Sequence, residues 1–321
     1  MKRYEQSDLE EIAHNSHSFL SSFSEKKIFI AGATGFVGSW LVSFFDFANK
    51  NLGTGFEVTA LARTRDHDFE ANFSGVKFLQ GDVANLDLGH YFNPDLIINA
   101  ATPSVPKRGG EDVIQILNAS IKGTENLIHS CSDKKKPVFI NLSSGIVTKR
   151  AKDLTLDLSV PKDAYLHGKR VSEGLVSEAI ADEKICGKNL RLYAFAGPGI
   201  SMSDHFAVGN FLEDAILGRS INIKGNPATV RSYLYPTDLI VNLLNQVEDS
   251  GIENVELGST ARITMLDLAL TINRVTGNSG ITQSTVFGAV DEYAPELKKN
   301  SVTQTVDLEE SICRWINWLK P

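Results

Sequence analysis

Six short runs, KIFIAG, FEVTALAR, VKFLQGDV, DLIINAAT, PVFINLSS and LRLYAFAG, punctuate the first two-thirds of the chain with nearly continuous apolar character. Apolar runs without alternation mark strands buried on both faces, as in a parallel sheet covered by helices. Between them the stretches FVGSWLVSFFDFANK, EDVIQILNASIKGTENLIHSCS and AYLHGKRVSEGLVSEAIADE predict amphipathic helices. Strand, helix and strand in repeated succession imply right-handed crossovers and a doubly wound parallel α/β sheet. From Gly197 onward glycine and proline become denser, VGNFLEDAILG and MLDLALTINRVTG predict helices, and the chain ends on LEESICRWINWLK with Trp315 and Trp318. The pattern predicts an N-terminal helix and a larger domain over 1–196, with a contribution from about 235–262, and a smaller domain over 197–321. No internal repeat or low-complexity linker interrupts it.

The first strand runs straight into Gly32, Gly35 and Gly38, within GATGFVG, and then into a helix. A tight strand-to-helix turn presents backbone N–H groups and the positive helix end at the carboxyl edge of the sheet. Glycine lets a pyrophosphate approach that backbone and lets the helix pack on the strand. The turn is therefore a candidate dinucleotide cradle in a Rossmann-type domain, with Thr34, Phe36 and Val37 between the glycines. The structural alternative is a turn that serves packing alone. A ribose-reading carboxylate normally follows the second strand when NAD is bound. Here the strand ends at Ala62, and Arg63, Thr64 and Arg65 follow, with Asp66 only after them. A guanidinium pairs bidentately with phosphate, so Arg63 is the candidate for a 2′-phosphate and NADP(H) the expected cofactor, with NAD(H) as the alternative. Asp82, with Val83 beside it, would lie near the adenine.

Composition narrows the partners. A formal net charge of −7 offers no basic stripe for nucleic acid and no polybasic patch for anionic lipid, so neither is expected as a partner. Cys131, Cys186 and Cys313 are an odd, widely spaced set without a CxxC pair, which fits buried free thiols in a reducing compartment and no metal. No run of about 18 apolar residues provides a membrane span, and residues 1–27 contain no apolar signal core. The expected location is the cytoplasm.

Candidate chemistry gathers at the fifth strand. FINLSSGIVTK delivers Ser143 and Ser144 at the strand end, and DAYLHGKRVSE places Tyr165 and Lys169 four apart on one helical face. A free phenol titrates near ~10, but a neighbouring ammonium and a nicotinamide cation favour its phenolate. Tyr165 would then transfer a proton, Lys169 would lower the tyrosine's pKa and hold the nicotinamide ribose, and Ser144 would hydrogen-bond the substrate oxygen. His167 lies on the other side of that helix and reads as structural. His205, on a predicted substrate-side loop, stays ambiguous.

In this order GATGFVG, GDV, SSGIV, YLHGK and RSYLYPTDL resemble the extended short-chain dehydrogenase/reductase superfamily, in its NAD-dependent epimerase/dehydratase branch, over nearly the whole chain. The resemblance implies that Gly32, Gly35 and Gly38 bind pyrophosphate, that Ala100, Ala101 and Thr102 line the dinucleotide pocket, and that Ser144, Tyr165 and Lys169 are catalytic. It also implies a nucleotide-sugar substrate touched by Asn210 and gripped at its diphosphate by Arg231, and it leaves a homodimer open. The alternative for Arg231 is a structural ion pair, with Asp238 as the partner. Related 4,6-dehydratases carry an Asp-Glu pair directly after the catalytic hydroxyl residue; here Gly145 and Ile146 stand there, and neither can move a proton. That disfavours dehydration. A reductase and a 4-epimerase with tightly bound NAD remain, and Arg63 favours the reductase. FAGPGISMSDHFAVGNF further resembles the dTDP-4-dehydro-6-deoxyhexose reductases of surface-polysaccharide synthesis. From another class, a non-catalytic NADP(H)-sensing regulator would tolerate loss of Ser144, Tyr165 and Lys169, which are intact.

Overall fold

A computed structural model describes residues 2–89, 92–103, 111–131, 135–149, 157–158, 160–202, 206–248, 254–283, 288–296 and 302–320. In chain order these form α1 (Gln6–Asn15), α2 (His17–Phe23), β1 (Lys27–Ala31), α3 (Phe36–Phe47), β2 (Glu57–Ala62), α4 (His67–Glu70), β3 (Val76–Gln80), β4 (Leu96–Asn99), α5 (Glu111–Leu117), α6 (Gly123–His129), β5 (Val138–Ser144), α7 (Ile146–Lys149), α8 (Pro161–Ala181) and β6 (Cys186–Leu192). They continue as β7 (Ala194–Phe195), α9 (Ala207–Ile216), β8 (Ile221–Ile223), β9 (Val230–Arg231), β10 (Tyr233–Leu234), α10 (Pro236–Asn245), β11 (Asn254–Leu257), β12 (Ile263–Thr264), α11 (Met265–Thr276), β13 (Ile281–Gln283), β14 (Glu292–Tyr293) and α12 (Leu308–Leu319). The chain packs as two units, one of residues 1–191 and 240–255, the other of 192–239 and 256–321.

The central sheet has the order β11-β6-β5-β4-β1-β2-β3, with parallel registers from β3 through β5. Chain order reverses between β1 and β4, which sets a crevice at the carboxyl ends of those strands. The apolar runs fold as expected at the centre, where Leu96, Ile97, Ile98, Phe139 and Ile140 are fully buried. The edge departs from expectation. The β3 run reads as a buried strand, yet of the strand residues Val76–Gln80 only Val76 is buried. The β3–β4 connection carries no helix among the described residues, so one face of β1, β2 and β3 opens into a cleft of about 730 Å³ lined by Lys27, Thr59, Lys77, Leu79 and Phe92.

The helix expected over EDVIQILNASIKGTENLIHSCS forms without a break as α5, a π-helical turn over Asn118–Lys122, and α6. This turn packs against α8, where a Cβ on Gly168 would stand 2.8 Å from the Cβ of Ser120. The helix α8 starts with Pro161 at its first position, where a missing N–H costs nothing. Ahead of β1, α1 and α2 bury Leu9, Ile12 and Phe19.

The second unit is built around short strands, with pairs β10-β7 and β13-β8 and a three-stranded β12-β9-β14 sheet. Its helices carry explicit stops and starts. Thr264 caps α11, which ends at Gly277 in the left-handed region (φ +72°), and Asp307 caps α12 through the Glu310 N–H. The helix α12 buries Trp315 completely. Among the described residues no helix is long and apolar enough to cross a membrane.

Candidate active site

The glycine turn is shaped by two backbone collisions it avoids. Gly32 adopts φ +85°, and a Cβ there would lie 2.4 Å from the carbonyl oxygen of Ala100; a Cβ on Gly38 would lie 2.1 Å from the oxygen of Gly32. Only glycine fits either position. Both the Gly32 and Ala33 N–H groups donate to the Leu61 carbonyl at 2.9 Å, which ties the turn to β2. Gly35 is the N-cap of α3, with φ −74° and no side-chain cap. The first turn of α3 thus keeps its positive end toward the crevice, a fit for an anionic diphosphate. Thr34, Phe36 and Val37 complete this turn.

The adenosine side shows two arginines in different states. Arg63, directly after β2, is exposed and donates from Nη1 to the neutral side chain of Gln115 on α5 at 3.1 Å. Arg65 is held by both carboxylate oxygens of Glu70. Asp66 accepts the Phe69 N–H and caps α4, so its carboxylate serves a helix start. Asp82 accepts the N–H of Ala84 at 2.9 Å, and Val83 packs against Gly123. Ala100 donates its N–H to the Ala31 carbonyl at 2.9 Å, and the Thr102 hydroxyl accepts from Ser120 at 3.3 Å. These residues ring the carboxyl ends of β1, β2, β3 and β4.

Ser144 is the last residue of β5, where its Oγ accepts the Ile146 N–H at 3.3 Å. Lys169 crosses from α8 to the same strand end and donates from Nζ to the Leu142 carbonyl at 2.5 Å. Its ammonium stands 5.7 Å from the centroid of the Tyr165 ring. Lys169 is 4% exposed, and burial pushes its pKa down to about 7 against the opposing pull of the Glu173 carboxylate. The sequence pattern thus brings Tyr165, Lys169 and the end of β5 together. His167 is half-buried on α8, while His205 lies outside the described residues.

Behind these residues is a polar layer that sequence reading missed. Glu173, four residues after Lys169, accepts from Ser143 at 2.6 Å and from the guanidinium of Arg191 at 2.9 and 2.8 Å. Beside it, Asn99, Asn141 and Asn189 stand side by side on β4, β5 and β6, all at most 3% exposed. Asn99 donates to Asn141 at 3.3 Å and Asn141 to Asn189 at 2.8 Å, while Asn189 donates to the Glu173 carbonyl at 3.3 Å. The spacing YxxxKxxxE was the available signal, since it sets Glu173 on the face of Lys169. The asparagines had none, because their pairing runs across strands far apart in sequence.

In the second unit Asn210 is half-buried on α9. Arg231 on β9 pairs with Asp291 at 3.0 Å and lies 5.9 Å from the Tyr293 ring. Its ion-pair partner is therefore not the Asp238 considered from sequence. Asp238 holds the N–H groups of Thr305 and Val306 and the Thr305 hydroxyl.

Known proteins resemble this arrangement at low identity. UDP-glucuronic acid decarboxylase 1 of Xenopus tropicalis is 24% identical over 321 residues, covering 94% of this chain and 74% of that protein. UDP-glucuronic acid 4-epimerase from Bacillus cereus, solved with UDP-glucuronic acid and NAD, superposes with a TM-score of 0.74 at 20% identity, over 91% of this chain and 98% of that one. UDP-N-acetylglucosamine 4-epimerase from Methanobrevibacter ruminantium M1 gives a TM-score of 0.77 at 17% identity, over 91% and 97%. Homologues and neighbours are NAD-dependent enzymes of the extended short-chain dehydrogenase/reductase type, and this chain is an enzyme of that type. The matching family model spans residues 28–254, well over half of the sequence, and the chain belongs to the NAD dependent epimerase/dehydratase family.

Proposed function

We propose that the protein is an NADPH-dependent reductase of a nucleotide-linked keto sugar, in its narrowest form a 4-keto-6-deoxyhexose of surface-polysaccharide synthesis. The observation that carries the cofactor choice is Arg63, an exposed guanidinium that among the described residues bonds to a neutral amide, where NAD-binding relatives of the fold place a carboxylate. Its charge is left for a 2′-phosphate, whereas that of Arg65 is neutralised by Glu70. The N–H groups at the start of α3 hold the diphosphate, and Asp82, Val83, Ala100, Ala101 and Thr102 line the adenine and ribose pocket. The bound dinucleotide supplies the hydride. Tyr165 gives its phenolic proton to the carbonyl oxygen as that oxygen gains charge, Ser144 donates a hydrogen bond to it, and Lys169 stabilises the tyrosinate left behind. Asn210 and Arg231 belong to the nucleotide-sugar side. A nucleotide-diphosphate sugar is supported by the similarity to proteins named for UDP-glucuronic acid and UDP-N-acetylglucosamine.

A 4-epimerase retaining NAD is the second reading, favoured by structural neighbours that are named 4-epimerases, one solved with NAD. Gly145 and Ile146 suit both readings, since neither reaction needs the extra acid and base of a dehydratase. The deciding experiment incubates purified protein with NADPH carrying deuterium at the transferred position and a panel of nucleotide-linked 4-keto sugars. The reductase reading requires deuterium at C4 and one NADPH lost per product. Epimerisation of a 4-hydroxy nucleotide sugar without added cofactor would replace it with the epimerase. Conversion of UDP-glucuronic acid to a pentose would move it toward the decarboxylases.

A further inference from the structure

The segment ahead of β1 does more than cover the domain. Its apolar anchor lies on the body of α3 and the start of β2, where Phe19 packs against Phe45 and Phe56 with ring centroids 6.1 and 6.0 Å apart. Beside that anchor, Ser18 and Ser22 donate to the Glu248 carboxylate at 2.7 and 2.5 Å, while Arg3 and Tyr4 make a separate set of polar contacts nearer the glycine turn. The Tyr4 ring stacks on Trp40 at 3.7 Å and 10°, and its hydroxyl meets the Ser39 hydroxyl at 2.8 Å. Ser39 in turn donates to the Phe36 carbonyl at 2.9 Å, and its N–H closes the first bond of α3 onto Gly35 at 2.8 Å. Tyr4, Ser39 and Trp40 are all buried, so this bond is shielded from water.

The adjacent residue reaches the other side of the adenosine region. Arg3 donates to both the side-chain and main-chain oxygens of Asn72, at 3.2 and 3.0 Å. Asn72 closes α4 by donating to the Asp68 carbonyl at 3.0 Å, and α4 is the element that directly follows Arg63 and Arg65. Two consecutive side chains therefore tie the first turn of α3 to the end of α4. These are the elements that carry the diphosphate-binding turn and the arginine segment.

We propose that Arg3 and Tyr4 are positioning residues of the dinucleotide site, fixing α3 and the segment after β2 as one wall for the adenosine and diphosphate half of the cofactor. This rests on the reading above that a dinucleotide binds at the glycine turn. Holding that wall in the bound geometry lowers the ordering cost of binding.

The test uses Arg3→Ala, Tyr4→Phe and the double variant of the full chain. Dissociation constants are measured for NADPH, NADH, adenosine 2′,5′-bisphosphate and reduced nicotinamide mononucleotide, alongside thermal midpoints. Each single variant should weaken NADPH and the bisphosphate about fivefold, the worth of one net hydrogen bond, and leave the mononucleotide unchanged. Unchanged affinities well below the melting midpoint, with only that midpoint lowered, would reduce the segment to packing. Equal weakening of the mononucleotide would point to a general loosening and would also overturn the proposal. If the double variant fails to fold, Tyr4→Phe decides, because it keeps the stacked ring. A wild type that prefers NADH ends the NADP reading of Arg63 but leaves this test in force, with NADH as the probe. A wild type that binds no dinucleotide ends both.

Discussion

Arg63 and Arg65 are two positions apart, and their surroundings separate them. Glu70 neutralises the second, while the first keeps its charge beside a neutral amide. Replacing Arg63 with Ala should weaken NADPH binding by about 1.5–3 kcal/mol, the range for hydrogen bonds to a charged group, and barely affect NADH. Titration of both cofactors checks it, and a wild type with tighter NADH binding would contradict the assignment. Tyr165→Phe keeps the ring over the Lys169 ammonium but removes the transferable proton. Turnover should fall by about 100-fold or more, with NADPH affinity preserved. A variant of normal turnover would move the proton transfer to another group.

At the scale of elements, α8 is positioned by what it lacks as much as by what it carries. Gly168 sits inside the YLHGK motif and lets α8 close on the π-helical turn at Ser120. Gly168→Ala should cost about 1–3 kcal/mol of stability through overpacking, and Ser120→Gly in the same chain should return part of it. Additive losses in a denaturation cycle would show that the two positions do not meet. The same helix presents Glu173 to Lys169, to Ser143 on β5 and to Arg191 on β6. The carboxylate favours the lysine ammonium, so Glu173→Gln should move the alkaline limb of kcat/KM to lower pH. It should also cost roughly 3 kcal/mol of stability, because it breaks the largely buried ion pair of Glu173 with Arg191. Lost stability with an unmoved limb would make Glu173 structural only.

For the whole molecule, Lys169 sets function against stability. Its pKa is near 10.5 when unfolded and about 7 in the fold, where desolvation disfavours the charge. As pH falls from about 10 toward 7, the unfolded chain takes up the proton first, so the fold loses stability; below about 7 both states are protonated and the loss is constant. The full cost is on the order of 5 kcal/mol. Lys169→Met should therefore stabilise the cofactor-free protein at pH 7 by about 1–4 kcal/mol, with a gain that shrinks toward pH 10, while turnover is lost. Chemical denaturation across that pH range tests it, and a gain independent of pH would assign the effect to packing.

The sequence by itself determined the sheet, the glycine turn, and the placement of Tyr165 and Lys169, because each is a local property. Strand burial follows from continuous apolar runs, the turn from glycines at fixed spacing, and one helical face from residues four apart. It mispredicted the burial of β3 and held no sign of the π-helical turn inside the helix before β5, since both depend on what packs alongside. For the alternative reading of Arg231 as a structural ion pair it offered Asp238, where the fold supplies Asp291 from a distant segment. Only the tertiary structure decided the asparagine row across β4, β5 and β6, the bond that ties Glu173 to Ser143, and the reach of Arg3 and Tyr4 over α3 and α4. These contacts join residues tens of positions apart, and a hydrogen bond between them leaves no period in the chain from which to read it.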